Sequence, residues 1–333
     1  MKIDKKKVKL ILFITLNNLG DIVLTTPVFN ELCREFPSAL IDVVTGAPGR
    51  EIFISHPAVR EVAVHGKRKS LLDRISQVFQ FRRKKYDLII DLKNSLLPHL
   101  IGAKYHANLY AFITEFMRRK GAFHKKEQHL MKLKDLGLEL PVLSSFFIPV
   151  NDENIERVDF LLKDIGNSKV AIVSPGSKSH IKRWSAVKYA ELSDKLVSEM
   201  GCKIFFVGNN EDVWVLNAVT KAMKENYVNL CGSTSISVLF ELMRRSDIVI
   251  TGDSAPLHIA SAAKAPTVAI FGPTDDRQYG PLSCQSETVK PDVHCRPCNL
   301  ANCKIGYKEG CIGLIKTSEV FHKVKQLLNK NLE

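Results

Sequence analysis

Short runs of apolar residues alternate with longer amphipathic stretches along the chain. The first half offers KLILFITL, then PVFNELCREF with helical spacing, then LIDVVTG and later YDLIIDL. Such continuous apolar runs suit strands buried on both faces, and the helical stretches between them are the crossovers that parallel strands require. The pattern restarts after a polar connector at Asn151 to Asn154 and the helical VDFLLKDIG. From there KVAIVSPG, CKIFFVG, SDIVITG and PTVAIFG read as strands, with helices in WSAVKYAELSDKLVSEM and SISVLFELMRR. The economical reading is α/β, with two doubly wound halves. Open sheets of this kind bind ligands beyond the carboxyl ends of their strands, so the loops after Leu16, Val173, Val207, Ile250 and Phe271 are where chemistry is expected.

Composition narrows the class. Over 333 residues, 45% hydrophobic and 25% charged positions match an ordinary globular chain and exclude a disordered or fibrous one. No apolar run approaches the roughly 20 residues of a spanning helix. Lys5, Lys6, Lys7 and Lys9 ahead of LILFITL imitate a secretion signal, but Asn17, Asn18 and Asp21 interrupt it, and it reads instead as a buried first strand. The formal net charge of +13 is unevenly spread: residues 1–150 hold 25 basic against 14 acidic side chains, residues 151–333 hold 23 against 21. A polyanionic partner or an anionic membrane surface is therefore expected on the first half. Its basic runs are Lys67 to Lys69, Arg82 to Lys85, and Arg118, Arg119 and Lys120. The last run lies in an aromatic-rich stretch that reads as a loop over an acceptor, while Arg82 to Lys85 precede a strand and suit the membrane.

Several strand ends carry chemistry. Gly20 permits a tight turn after the first strand, and Asp21 falls in the first turn of the next helix, whose partial positive charge keeps a carboxylate ionised and able to take a proton. Helix capping is the alternative role for the same residue. Gly252, Asp253, Ser254 and Ala255 end another strand, and the N–H groups of Ser254, Ala255 and Leu257 are placed to hold a diphosphate at a helix start, with His258 beside them. Capping and a structural histidine are the alternatives there. Lys178, Lys182 and Arg183 follow a third strand and suit phosphate neutralisation or a solvated loop. No GxGxxG follows the first strand and no GxxxxGK[ST] occurs, which argues against dehydrogenases and P-loop enzymes.

Taken together and in order, LGDIVLTTPVFNELCREFPSALIDVVT, YDLIIDL, PGSKSHIKRWSAVKYAEL, CGSTSISVLFELMRRSDIVITGDSAPLHIA and AIFGPTDD resemble glycosyltransferase family 9, the ADP-heptose:lipopolysaccharide heptosyltransferases. The resemblance implies a GT-B fold of two Rossmann-like domains facing across a cleft. These are residues 1–155 for the acceptor and 156–333 for the nucleotide-sugar, the C-terminal helix packing back on the first domain. It implies inverting, metal-independent transfer of a heptose from ADP-heptose to an inner-core sugar, with Asp21 as general base. By the same resemblance Lys182 meets the donor phosphates, Asp253, Ser254 and Ala255 hold diphosphate and sugar, and His258 belongs to that motif. Ala255 replaces a common glycine. Glu211 or Asp212 would take the nucleotide ribose; Arg118, Arg119 and Lys120 are expected at the anionic glycolipid acceptor on their charge and aromatic-rich setting, not on the resemblance.

Cys295, Cys298, Cys303 and Cys311 form a C-x2-C-x4-C-x7-C cluster, whose four soft ligands suit a structural zinc; free thiols or disulfides are the alternatives. The other four cysteines are scattered, unlike a disulfide framework, which fits a reducing cytoplasm; with the basic first half and the resemblance, the expected place is the cytoplasm, peripheral at the inner membrane. The rival classes are a noncatalytic sugar- or nucleotide-binding protein, transfer of another sugar to a different envelope glycan, and a nucleic-acid binder. Against the last, the basic half and the cysteine cluster lie apart and no nucleic-acid motif occurs, so no nucleic acid partner is expected.

Overall fold

The computed structural model describes residues 3–64, 71–106, 123–139, 144–306 and 309–330, in two compact units, Met1–Pro149 and Val150–Glu333. In the first, β1 (Leu10–Ile14), β2 (Leu40–Thr45), β3 (Val59–Val64), β4 (Leu88–Asp91) and β5 (Tyr105–His106) form one parallel sheet in the order β3-β2-β1-β4-β5. Ile11, Leu12, Phe13 and Ile14 of the central strand are fully buried, each side chain worth about 1.5 to 3 kcal/mol. Helix Leu19–Glu35 follows β1 and contains Pro27, which cannot donate to the Val23 carbonyl. The Thr26 hydroxyl donates to that carbonyl at 2.8 Å, so the helix continues through the proline.

At the opposite end of the same sheet Asp42 is 3% exposed. It accepts from Arg60 at 2.8 and 2.7 Å, Tyr86 at 2.6 Å and Lys84 at 3.1 Å. Burial opposes its charge, but the bonds from Arg60, Tyr86 and Lys84 outweigh it and hold the carboxyl below its usual range.

In the second unit, β6 (Lys169–Ser174), β7 (Cys202–Phe206), β8 (Tyr227–Asn229), β9 (Ile248–Gly252), β10 (Thr267–Ile270) and β11 (Ser286–Val289) are again all parallel, in the order β11-β10-β9-β6-β7-β8. A capping box between Asn151 and Asn154 starts helix Asp152–Leu162, so the expected boundary at residue 155 falls inside a helix. The C-terminal helix Thr317–Lys330, expected to pack back on the first domain, buries Val320, Val324, Leu327 and Leu328 in the core of its own unit. Its apolar stripe finds strands β9, β10 and β11 there. The four strands outside the runs expected from sequence, β3, β5, β8 and β11, are the four sheet edges. Among the described residues no helix is long and apolar enough to cross a membrane.

Each sheet reverses its order of connection once, between β1 and β4 in the first unit and between β6 and β9 in the second. These switch points are where doubly wound sheets open a crevice for ligands.

Candidate active site

At the first switch point the chain leaves β1 through Leu16, whose carbonyl accepts the Gly46 N–H at 3.0 Å. A Cβ on Gly46 would stand 2.2 Å from the Asn17 carbonyl oxygen, so only glycine lets the β2 loop approach this closely. Asn18, with extended backbone, occupies the N-cap of helix Leu19–Glu35. Asp21 is therefore not itself the cap residue. Its half-buried carboxylate accepts from the Asn18 side-chain amide at 3.2 Å and sits in the first turn, within the positive end of the helix.

The loop after β4 faces the same switch point. Asp91 accepts the Lys93 N–H at 2.8 Å, the Ser95 N–H at 2.8 Å and the Ser95 hydroxyl at 2.5 Å, while Asn94 adopts a left-handed φ of 55°. The buried Lys132 braces this turn, donating to the Asp91 carbonyl at 2.9 Å and to the Asn94 side chain. Lys93 reaches across to β1, its ammonium donating to Asn17 Oδ1 at 2.9 Å.

The second switch point pairs Lys182, in the turn after β6, with Asp253, after β9, at 2.6 Å. Asp253 is largely buried and Lys182 partly open. Ser254 caps helix Ala255–Ala263 in extended conformation without a side-chain cap bond, its hydroxyl 3.2 Å from that of Thr251. Pro256 lies in the first turn as expected, but the Leu257 amide is already bonded to the Ser254 carbonyl at 3.1 Å. It does not join Ser254 and Ala255 in an anion site. His258 is buried one position further along the helix. Lys178 is exposed. Arg183 is occupied otherwise: it donates to the Ser177 carbonyl at 2.9 Å and lies 4.6 Å over the exposed Trp214 ring.

The two acidic candidates after β7 separate. Asp212 accepts the Asn209 N–H at 3.0 Å in a capping box, and its carboxylate fills the space beside Gly176, where a Cβ would come within 2.3 Å. Glu211 is exposed.

Cys295, Cys298, Cys303 and Cys311 line one cavity of about 110 Å³ together with Ile181, Pro273 and Leu300. Burial raises the Cys311 thiol, and the other three cysteines add to that effect against the opposing charge of Arg296. The thiols are gathered, yet among the described residues no group of three or more His, Cys, Asp or Glu side chains is arranged to hold a metal ion. Arg118, Arg119 and Lys120 lie outside the described residues, as do Lys67 to Lys69. Of the Arg82 to Lys85 run, Lys84 is spent on Asp42 and Glu61, which leaves Arg82, Arg83 and Lys85 at the surface.

Asn18 and Lys93 were not among the residues singled out from the sequence. The signal was present in YDLIIDLK, because the rule that ligands meet strand carboxyl ends applies to β4 as it does to β1.

The glycosyltransferase family 9 (heptosyltransferase) profile matches residues 75–308. The lipooligosaccharide heptosyltransferase 2 of Campylobacter jejuni serotype O:2 is 24% identical over 326 residues, covering 94% of this chain and 96% of that protein. Among solved structures, a family 9 glycosyl transferase from Veillonella parvula superposes with a TM-score of 0.82 at 22% identity, covering 99% of both chains. The E. coli ADP-heptose lps heptosyltransferase II gives 0.75 at 21% identity, covering 97% of this chain and 99% of that one. At these identities the structural likeness is one of fold, the GT-B class of two Rossmann-like α/β units.

Proposed function

Since the chain belongs to glycosyltransferase family 9, we propose that it transfers a heptose from ADP-heptose to an inner-core sugar of lipopolysaccharide, inverting the anomeric carbon. The names of the similar proteins support the sugar and the glycan class. The observation that carries the reading is the Lys182–Asp253 pair at the β6/β9 switch point, beside a helix N-terminus whose cap side chain makes no bond to it.

In this reading the acceptor hydroxyl oxygen forms its bond to the anomeric carbon as the bond to the β-phosphate oxygen breaks. Asp21 takes the hydroxyl proton, and ADP leaves with the electron pair. Lys182 and the N–H groups of Ser254 and Ala255 meet the charge gathering on the diphosphate. Asp253 holds the ammonium in place with one oxygen and offers the other to a sugar hydroxyl. His258 supports that helix start from inside, and Glu211, rather than the engaged Asp212, takes the ribose. The anionic acceptor is held through Arg118, Arg119 and Lys120, and the surface charges Arg82, Arg83 and Lys85 attract the cytoplasmic face of the inner membrane. A structural zinc, if bound, would be held by Cys295, Cys298, Cys303 and Cys311 after their side chains rearrange toward it, its softness matching theirs.

Incubation with a panel of nucleotide-sugars and heptose-deficient core oligosaccharide, following nucleotide release and product mass, tests the reading. ADP release with a heptose-sized mass gain supports it. Release from another donor moves the chain to a different envelope glycan, and ligand binding without turnover makes it a noncatalytic binder.

A further inference from the structure

Lys93 and Asn17 occupy the β1/β4 switch point in a way the proposed reaction has not yet used. Asp91 is the nearest carboxylate in sequence, and it is consumed by the Lys93 backbone N–H and by both donors of Ser95. Lys132, the second lysine at this loop, is buried and bonded to the Asp91 carbonyl and to Asn94. Lys93 instead extends its ammonium to the β1 loop, and there its partner is a neutral amide, Asn17 Oδ1 at 2.9 Å. An ammonium has three hydrogens to give, and among the described residues this one has no carboxylate partner. Half-burial lowers its proton affinity, Asp91 partly opposing, which marks a charge short of solvation. The loop is also hydrogen-bonded where Lys93 starts, by Asp91 to the Lys93 N–H and by Lys132 to the Asp91 carbonyl, with Asn94 left-handed after it. The Asn17 backbone lies close against Gly46. The residue after Asn17 is Asn18, whose amide contacts the proposed base Asp21.

We propose that Lys93 is the anion-reading residue of the acceptor site: its ammonium binds a carboxylate or phosphate on the acceptor sugar and so sets which hydroxyl meets Asp21. The proposal rests on the glycosyltransferase reading above. It assigns to this one side chain, fixed on the sheet, a specificity that the basic runs cannot supply by charge alone. A charge-assisted bond of this kind forms equally in the ground and transition states, so it belongs to acceptor binding rather than to the rate of the bound complex.

The test uses the full chain and heptose-deficient lipopolysaccharide core oligosaccharide in three forms: native, carboxylates amidated, and phosphatase-treated. Lys93→Met keeps the aliphatic stem, and Lys93→Arg keeps the charge. The expected result is a rise of about tenfold or more in the acceptor Michaelis constant for Lys93→Met, kcat staying within about threefold, with substantial rescue by Lys93→Arg. ADP affinity and melting temperature should match the parent. Whichever modified acceptor abolishes the difference between parent and Lys93→Met identifies the anion as carboxylate or phosphate. Three results overturn the proposal: an unchanged Michaelis constant, an equal loss on all three acceptors, or a fall in kcat with a shifted acid limb of its pH profile. The last would make Lys93 an electrostatic support of Asp21. No transfer by the parent from any donor would instead defeat the glycosyltransferase reading itself, and ADP binding by the parent separates that failure from this one.

Discussion

Both units place a lysine at the point where their sheet reverses, yet the two lysines meet opposite partners. At β6/β9, Lys182 is ion-paired with Asp253 at 2.6 Å; at β1/β4, Lys93 rests on the neutral side chain of Asn17 at 2.9 Å. A paired lysine is held in a fixed position before ligand arrives and can meet a multiply charged diphosphate without the whole charge standing uncompensated beforehand. A lysine on an amide keeps its charge for a ligand with less to offer, such as a single carboxylate or phosphate. The carboxylate of the first switch point, Asp21, likewise accepts from an amide, that of Asn18. One topology thus supplies two differently partnered lysines, and in the proposed reading the amide partner goes with acceptor reading and the carboxylate partner with diphosphate binding.

The sharpest way to break this division is to neutralise the base. Asp21→Asn is expected to lower kcat by about two or more orders of magnitude, read in steady-state transfer assays. Lys182→Ala comes next, with transfer efficiency down by about one to two orders of magnitude, mostly as weaker donor binding, since the lost charge meets phosphate in ground and transition states alike. Smaller again is the effect of metal. If zinc joins the four thiols, purified protein should contain about one equivalent by elemental analysis, and chelation should lower the melting temperature of the second unit while sparing Asp21 chemistry. Protein purified reduced and without chelator that contains no metal would reject the site.

The smallest effect on turnover is expected at Asp42, at the far end of the first sheet. Its carboxyl is held below the usual range, so its contribution to stability is complete above about pH 4 and is lost as pH falls through the lowered value. Asp42→Asn should cost about 3 kcal/mol in denaturant unfolding at neutral pH, flatten the acid side of the stability profile, and leave the kinetics of the surviving folded protein near normal.

What the sequence made legible follows the same physics. Central strands such as KLILFITL and KVAIVSPG are buried on both faces and announce themselves as unbroken apolar runs, whereas the edges β5 and β8 are only two and three residues long and β3 and β11 are incompletely buried. Asp21, Lys182 and Asp253 could be singled out because each lies in a recognisable motif on the segment that follows β1, β6 or β9. The partners that decide what they do were not: Asn18 taking the cap from Asp21, Asp212 filling the space beside Gly176, and Leu257 turning its amide inward are settled by contacts across the fold. Lys93 was hidden for the same reason, since only the pairing of β1 with β4 brings it to Asn17.

Calorimetric titration of ADP into the parent, Asp21→Asn, Lys93→Met and Lys182→Ala proteins tests the division of labour most directly. The account predicts that the first three bind ADP with dissociation constants within about threefold of one another, while Lys182→Ala binds about tenfold or more weakly. Loss of ADP affinity in Asp21→Asn as large as that in Lys182→Ala, or undiminished affinity in Lys182→Ala, would contradict it.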